Sequence, residues 1–242
     1  MGWESVRSWI DSAWFKISSV FLFQKELSIA IIGLQNSGKT TLIRLLGGKS
    51  FEIDTVPTLG IQESHFSLEN NLIKVYDLAG QTRFQPLWER YFDKVDLIIY
   101  VIDLSDTMTL DESQQKLLRV IQMANDDRIP LLILGNKTDL IPDPKDPLPL
   151  GPLQAYNPDT RDKLKLDSNN VHLLKNPDIL ARQLGIDLAA RTVDIPLQSS
   201  DPQFKEGIST KLLTLHADIA VLTVSCKNGS HIADVIDWIV QL

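Results

Sequence analysis

The chain has 242 residues, 43% of them hydrophobic, a net charge of −7 and a single cysteine. That length suits one globular domain with additions, and the apolar content is enough for a core. The acidic balance excludes a general nucleic-acid binder or a polybasic membrane patch, and the lone Cys226 excludes an intrachain disulfide and fits a reducing compartment.

The first 24 residues predict an amphipathic helix. Trp3, Val6, Trp9, Ile10, Ala13, Trp14, Ile17, Val20 and Phe21 fall within one arc of roughly 140° at helical spacing. Glu4, Arg7, Asp11 and Lys16 fall outside it. Three of the five tryptophans lie on the apolar face, and tryptophan favours the membrane–water interface. Residues 3–21 read as an in-plane membrane anchor or, alternatively, as a helix packed on the protein's own core or a partner. Charges and serines interrupt the run, so a spanning helix is not expected. Acidic residues ahead of a very short apolar core argue against a secretory signal. Val6, where Ser or Thr is wanted, argues against myristoylation at Gly2.

A buried strand is expected over 27–33, followed by Gly33-Leu-Gln-Asn-Ser-Gly-Lys-Thr40 and a helix from residue 39. The octapeptide fits G-x-x-x-x-G-K-[ST], a phosphate-binding loop. Between a strand and a helix, backbone N–H groups at Gln35, Asn36, Ser37, Gly38 and Thr41 point at an anion, aided by the helix N-terminus. Lys39 would reach the β- and γ-phosphates, and the Thr40 hydroxyl would ligate Mg²⁺. Pro57-Thr-Leu-Gly60 supplies Thr58 as a second Mg²⁺ ligand. Strands at 61–68 and 72–77, joined at Glu69-Asn-Asn71, make an antiparallel hairpin. It runs into Tyr76-Asp-Leu-Ala-Gly-Gln81, where Asp77 can hold Mg²⁺ through a water, Gly80 can offer an N–H to a γ-phosphate and Gln81 can orient the attacking water. The bland reading of this stretch is an Asp/Gly turn.

A strand over 97–103, a helix over 109–124 and a strand over 131–136 follow, ending in Asn136-Lys-Thr-Asp139. A carboxylate fixed there accepts from N1–H and the N2 amino group of guanine, and the Lys137 stem can cover the base; adenine would leave Asp139 unpaired. Five prolines between 142 and 152 bar a helix or central strand. Asn176-Pro-Asp178 reads as the start of a helix over about 176–186. The flanks, about 142–175 and 188–212, read as insertions, either loosely packed surface loop or a partner site. A strand over 219–225 leads into Ser225-Cys226-Lys227, which could brace guanine by backbone N–H, and a helix over 231–241 closes the chain. The four histidines show no metal-ligand spacing. Strands alternating with helices predict an α/β fold: a mostly parallel sheet with helices on both faces, its ligands at the strands' carboxyl ends.

The motifs, in this order, resemble those of the small GTPases, specifically the Arf/Arl branch. Pro57-Thr58, Asp77-Leu-Ala-Gly-Gln81 and Leu87-Trp-Glu-Arg-Tyr-Phe92 resemble its two switches. The chain is most similar to the lysosomal Arf-like GTPases, through Gly33 to Thr41, Gln81-Thr-Arg-Phe84, Trp88-Glu-Arg-Tyr91, Leu134-Gly-Asn-Lys137 and Ser225-Cys-Lys227. The likeness covers residues 1–140 and 215–242, and not most of 141–214. It implies a P-loop small-GTPase fold with a six-stranded sheet, a domain over 25–242 with an insertion at about 142–212, and a monomer. It also implies GTP/GDP and Mg²⁺ as ligands, and slow GTP hydrolysis aided by an activating protein. Further expected partners are an exchange factor and trafficking effectors, namely tethers and motor adaptors. The implied location is the cytosol and the cytoplasmic face of late endosomes and lysosomes. Ile61, Tyr76 and Tyr91 lie where the family places its exposed apolar effector surface. An Arf-like GTPase of the Golgi or cilium, and a scaffold that binds GTP without hydrolysing it, are the alternatives.

Overall fold

The computed structural model describes residues 25–52, 57–141, 170–197 and 210–242. The expected N-terminal helix, the proline-rich start of the insertion and residues 53–56 lie outside the described residues. In chain order the elements are β1 (Glu26–Ile32), α1 (Lys39–Leu46), β2 (Ile61–Leu68), β3 (Asn71–Leu78), α2 (Glu89–Phe92), β4 (Leu97–Asp103), α3 (Thr107–Asp127) and β5 (Leu131–Asn136). Then come α4 (Pro177–Gln183), β6 (Ile186–Asp187), β7 (Thr192–Pro196), β8 (Thr210–Thr214), β9 (Ile219–Thr223) and α5 (Ile232–Val240).

Six strands form one sheet in the order β2-β3-β1-β4-β5-β9. Only β2 runs antiparallel to its neighbour, as a two-residue turn at Glu69 and Asn70 requires; the other pairs are parallel. The expected mostly parallel six-stranded sheet is what the structure contains. Strand β4 shows why its sequence is an unbroken apolar run. Ile98, Tyr100 and Ile102 face one core, Leu97, Ile99 and Val101 face the other, and all six are buried. Helices α1 and α5 cover one face with Leu42, Leu46, Val235 and Ile239, while α3 and α4 cover the other with Leu117, Ile121 and Leu180. The Asp106 side chain accepts from Met108 N and starts α3 two residues before the expected position. As expected from Asn176-Pro-Asp, the Asn176 side chain caps α4, accepting from Asp178 N and Ile179 N.

Where the flanks of α4 are described, they are packed and not loose. Val171–Lys175 form a helical turn whose Leu174 is fully buried. Strands β6, β7 and β8 build a second, antiparallel sheet whose Val193 is fully buried and whose Ile195 and Leu213 pack on the main core. Asn125, buried near the end of α3, fastens this sheet. Its amide donates to Thr214 O at 3.1 Å, and its oxygen accepts from His216 N at 2.5 Å and Ala217 N at 3.2 Å. Removing the amide leaves one carbonyl and two N–H groups without partners. Asn125→Ala is therefore expected to lower unfolding stability by about 2–3 kcal/mol. Urea denaturation measures this; a loss below about 0.5 kcal/mol, the scatter expected for a surface change, would show that the sheet docks without Asn125.

Candidate functional site

The carboxyl ends of β1, β3, β5 and β9 surround a cavity of about 570 Å³, within the usual range for a ligand pocket. Its floor is the loop from Gly33 to Thr40. Gly33 takes φ 141° and Gly38 takes φ 97°. A Cβ on Gly33 would strike Val101 O, and one on Gly38 would strike the Asn136 side chain. Glycine at both positions lets the loop turn tightly and bring its backbone to the cavity.

At one end of the cavity lie Lys39, Thr40, Thr41, Thr58, Gly80 and Gln81, with Gln35 and Asn36 on the loop beside them. The Thr40 hydroxyl donates to Asp77 Oδ2 at 2.6 Å, the Thr58 hydroxyl donates to the same oxygen at 3.2 Å, and the two hydroxyls are 3.1 Å apart. Asp77 Oδ1 is buried without a hydrogen-bond partner. Burial pushes the Asp77 carboxyl up from its usual pKa, opposed by the Thr40 hydrogen bond and the Lys39 charge. Three clustered hard oxygens, one of them on a carboxylate with an unsatisfied second oxygen, fit a Mg²⁺ ion. Lys39 is buried, and its ammonium donates to Leu34 O at 2.8 Å. Desolvation pulls its pKa down to about 8, partly offset by Asp77. A buried cation with one hydrogen bond is suited to an anion such as a phosphate.

Gly80 sits against the loop backbone, where a Cβ would meet Gly33 O and the Leu34–Gln35 peptide. Two residues that the sequence reading did not single out as site residues brace it. Gln85 Nε2 donates to Gly80 O at 3.3 Å, and Trp88 Nε1 donates to Ala79 O at 3.2 Å. Gln81 faces the cavity, with its Oε1 accepting from Arg83 Nε at 3.1 Å. Tyr76 and Tyr91 pack with their rings tilted by 58° and centroids 4.8 Å apart, and together with Ile61 they are half-buried against the core.

At the other end lie Asn136, Lys137, Asp139, Cys226 and Lys227. Asn136 ties the two ends together: its amide donates to Ser37 O at 2.8 Å and its oxygen accepts from Cys226 N at 3.0 Å. The Cys226 N–H, expected to brace a base, is thus engaged with Asn136, and burial raises its thiol pKa to about 12. Asp139 Oδ1 accepts from the Ser225 hydroxyl at 2.5 Å, and Lys227 Nζ lies 3.8 Å from Asp139 Oδ2. Ser225 also accepts from Lys227 N, so the Ser-Cys-Lys turn is wired to the carboxylate.

Four of the expected site residues stand outside the cavity lining. Gly33, Ser37, Asp77 and Ser225 are buried behind it and position those in front. Phe51, Glu52 and Leu140 line it without having been singled out. Leu140 directly follows the N-K-x-D tetrapeptide, which was a signal. Phe51 and Glu52 carry no motif; an Arg44–Glu52 ion pair holds them there. Among the described residues no group of three or more His, Cys, Asp and Glu is placed to hold a metal ion.

The model of the ADP-ribosylation factor family matches residues 15–146. Similar curated proteins include three from Arabidopsis thaliana. ADP-ribosylation factor-like protein 8d is 41% identical over 116 residues, which is 48% of this chain and 66% of that protein. ADP-ribosylation factor-like protein 8c is 37% identical over 57% of this chain and 70% of its own length. ADP-ribosylation factor-like protein 8b is 27% identical over 99% and 95%. Among solved structures, the Arl6 BBS3 small GTPase from Trypanosoma brucei, with bound nucleotide analogue GppNp, superposes with a TM-score of 0.53 at 19% identity. That superposition covers 90% of this chain and 96% of that one. At that identity the likeness concerns the fold.

Proposed function

The chain belongs to the ADP-ribosylation factor family, and from that premise we propose that it is a switch that binds GTP, hydrolyses it to GDP and changes its membrane and effector contacts with the nucleotide. One observation carries this reading. A single cavity joins a buried lysine and a threonine–threonine–aspartate oxygen cluster at one end to an asparagine–aspartate pair at the other. The first end suits phosphates with Mg²⁺, and the second suits guanine. Thr40, Thr58 and Asp77 would hold a Mg²⁺ ion, which would supply positive charge against the phosphates. Lys39 and the N–H groups of residues 35–41 neutralise the phosphates, Gly80 senses the terminal one, and Gln81 orients water. No arginine lines the described cavity, so hydrolysis is slow without an activating protein. The test is stoichiometric binding of labelled GDP and GTP with ADP as competitor. Displacement by ADP at equal concentration would remove the guanine reading.

The GTP form is proposed to act on late endosomal or lysosomal membranes and to recruit tethers and motor adaptors. The resemblance to the lysosomal Arf-like branch and relatives named ADP-ribosylation factor-like protein 8 support this. Residues 1–24 are the proposed membrane element of a domain over 25–242. Deleting residues 1–22 is expected to leave GDP binding intact and to abolish flotation of the GTP-loaded protein with liposomes, because insertion of the Trp, Ile and Phe side chains into the bilayer interface would supply the affinity. Flotation equal to that of the full chain would assign the helix to packing on the protein or a partner.

A further inference from the structure

Asp103 and Ser105 belong to neither end of the nucleotide site as described so far, yet they control one of its side chains. We infer that Asp103 is a positioning residue that holds the Lys137 stem along the cavity wall as a shelf for the base, and so sets how long a guanine nucleotide stays bound. The inference rests on the guanine-nucleotide reading.

Asp103 is the last residue of β4, and its register partner is Asn136, the last residue of β5. Leu104 N donates to Asn136 O at 3.0 Å, which locks the two strand ends together just before Lys137. The Asp103 carboxylate is engaged on both oxygens. Oδ1 accepts from Ser105 N at 3.0 Å and from the Ser105 hydroxyl at 2.6 Å, and Oδ2 lies 2.7 Å from Lys137 Nζ. The Asp103 side chain is only 10% exposed and that of Lys137 21%. Lys137 itself has φ 65°, so its backbone turns sharply out of β5.

Lys137 lines the cavity and Asp103 does not. The ammonium is therefore drawn out of the cavity toward β4, which leaves the apolar stem along the wall. The alternative destination for that ammonium is Asp139, two residues on. Its Oδ1 is occupied by Ser225, and its Oδ2 has only Lys227 at 3.8 Å. A second cation on Asp139 would compete with the N1–H and N2 amino donors of guanine for the same carboxylate. Asp103 therefore does two things through one contact. It presents the Lys137 stem, and it keeps the charge off the carboxylate that would read the base. Ser105 fixes the carboxylate so that both hold.

The experiment is release of fluorescent mant-GDP from the full chain into excess GDP with Mg²⁺ present. Asp103→Asn is expected to speed release about thirtyfold, the lower end of what loss of one partner of a desolvated charge pair does. In a Lys137→Met background, which keeps an apolar stem without the charge, Asp103→Asn is expected to add nothing. Ser105→Ala keeps the carboxylate and loosens it, and is expected to speed release about threefold, a smaller effect because the pair itself remains. It serves as the readout if Asp103→Asn does not fold. A release rate within twofold of the parent's in the folded single variant overturns the inference. So do effects of Asp103→Asn and Lys137→Met that multiply in the double variant, since a strut for the strand end alone would act independently of the lysine charge. A folded parent that holds no mant-GDP at all removes the nucleotide reading instead, which a normal parent with an unaffected Asp103→Asn would leave standing.

Discussion

Asp139→Asn is expected to weaken GDP binding about a hundredfold and to bring XDP binding up to a level comparable with it, the upper part of the roughly 1–3 kcal/mol that one unsatisfied buried polar group costs. Asp139 follows a buried strand, its side chain is 13% exposed, and Ser225 donates to Oδ1. Asp139 lines the cavity, and beyond the Ser225 bond Oδ1 keeps one lone pair and Oδ2 two. A carboxylate there accepts twice, from N1–H and from the N2 amino group. Asparagine, with one oxygen and one NH₂, gives the Ser225 hydroxyl its acceptor but turns a donor toward the base. Guanine's N2 amino group then meets a donor, whereas xanthine accepts at its C2 oxygen from that NH₂ and still gives N1–H to the asparagine oxygen. Because Ser225 holds the side chain by one oxygen only, the exchange is isosteric and the fold should not notice it. Titration with labelled GDP and XDP reads the outcome. An unchanged preference would take Asp139 out of the base site, and equal weakening of both nucleotides would point to a disturbed turn at 225–227.

Much of this site could be seen in the sequence because its parts are local. A strand, Gly33 to Thr40 and a helix lie next to one another in the chain, and each motif supplies its own side chains at a strand's end. The hairpin over 61–78 and the burial of β4 on both faces followed from short-range pattern in the same way. The second sheet did not. Its strands have two to five residues, β7 ends in Pro196, and its closing pair joins residues 192–196 to residues 210–214. What fixes it is Asn125, a polar residue near the end of a helix, whose partners stand about ninety positions later. Composition cannot tell that asparagine from an exposed one. Asp103 was hidden for a related reason. The Asp103 side chain gains meaning only when the β4–β5 register sets it beside Asn136 and Lys137, and register between parallel strands is a property of the folded sheet.

Gln81→Leu is expected to retain GTP binding and to slow single-turnover hydrolysis in the presence of an activating protein about a hundredfold, the scale on which losing one oriented hydrogen-bonding group lowers a rate. Gln81 lies beyond Gly80, whose backbone is pressed onto the loop from Gly33 to Thr40 and braced from behind by Gln85 and Trp88. That bracing fixes the glutamine's Cα while its side chain stays free to choose partners. In the structure Oε1 accepts from Arg83, whose guanidinium also lies over the Phe84 ring at 4.6 Å. The contact is solvent-exposed and short in sequence, so it is weak and easily exchanged for a water. The amide can accept from that water and donate to a phosphate oxygen at the same time. Leucine has nearly the same shape and does neither, so it removes orientation without opening a hole. Arg83→Ala separates the amide's own role from that of its neighbour and is expected to leave stimulated hydrolysis within about threefold of the parent, since an exposed pair contributes little. If Gln81→Leu hydrolyses GTP at the parent rate, water is oriented by another group. If the parent itself fails to turn over with an activating protein that it demonstrably binds, the chain is a GTP-holding scaffold, and the oxygen cluster of Thr40, Thr58 and Asp77 serves binding alone.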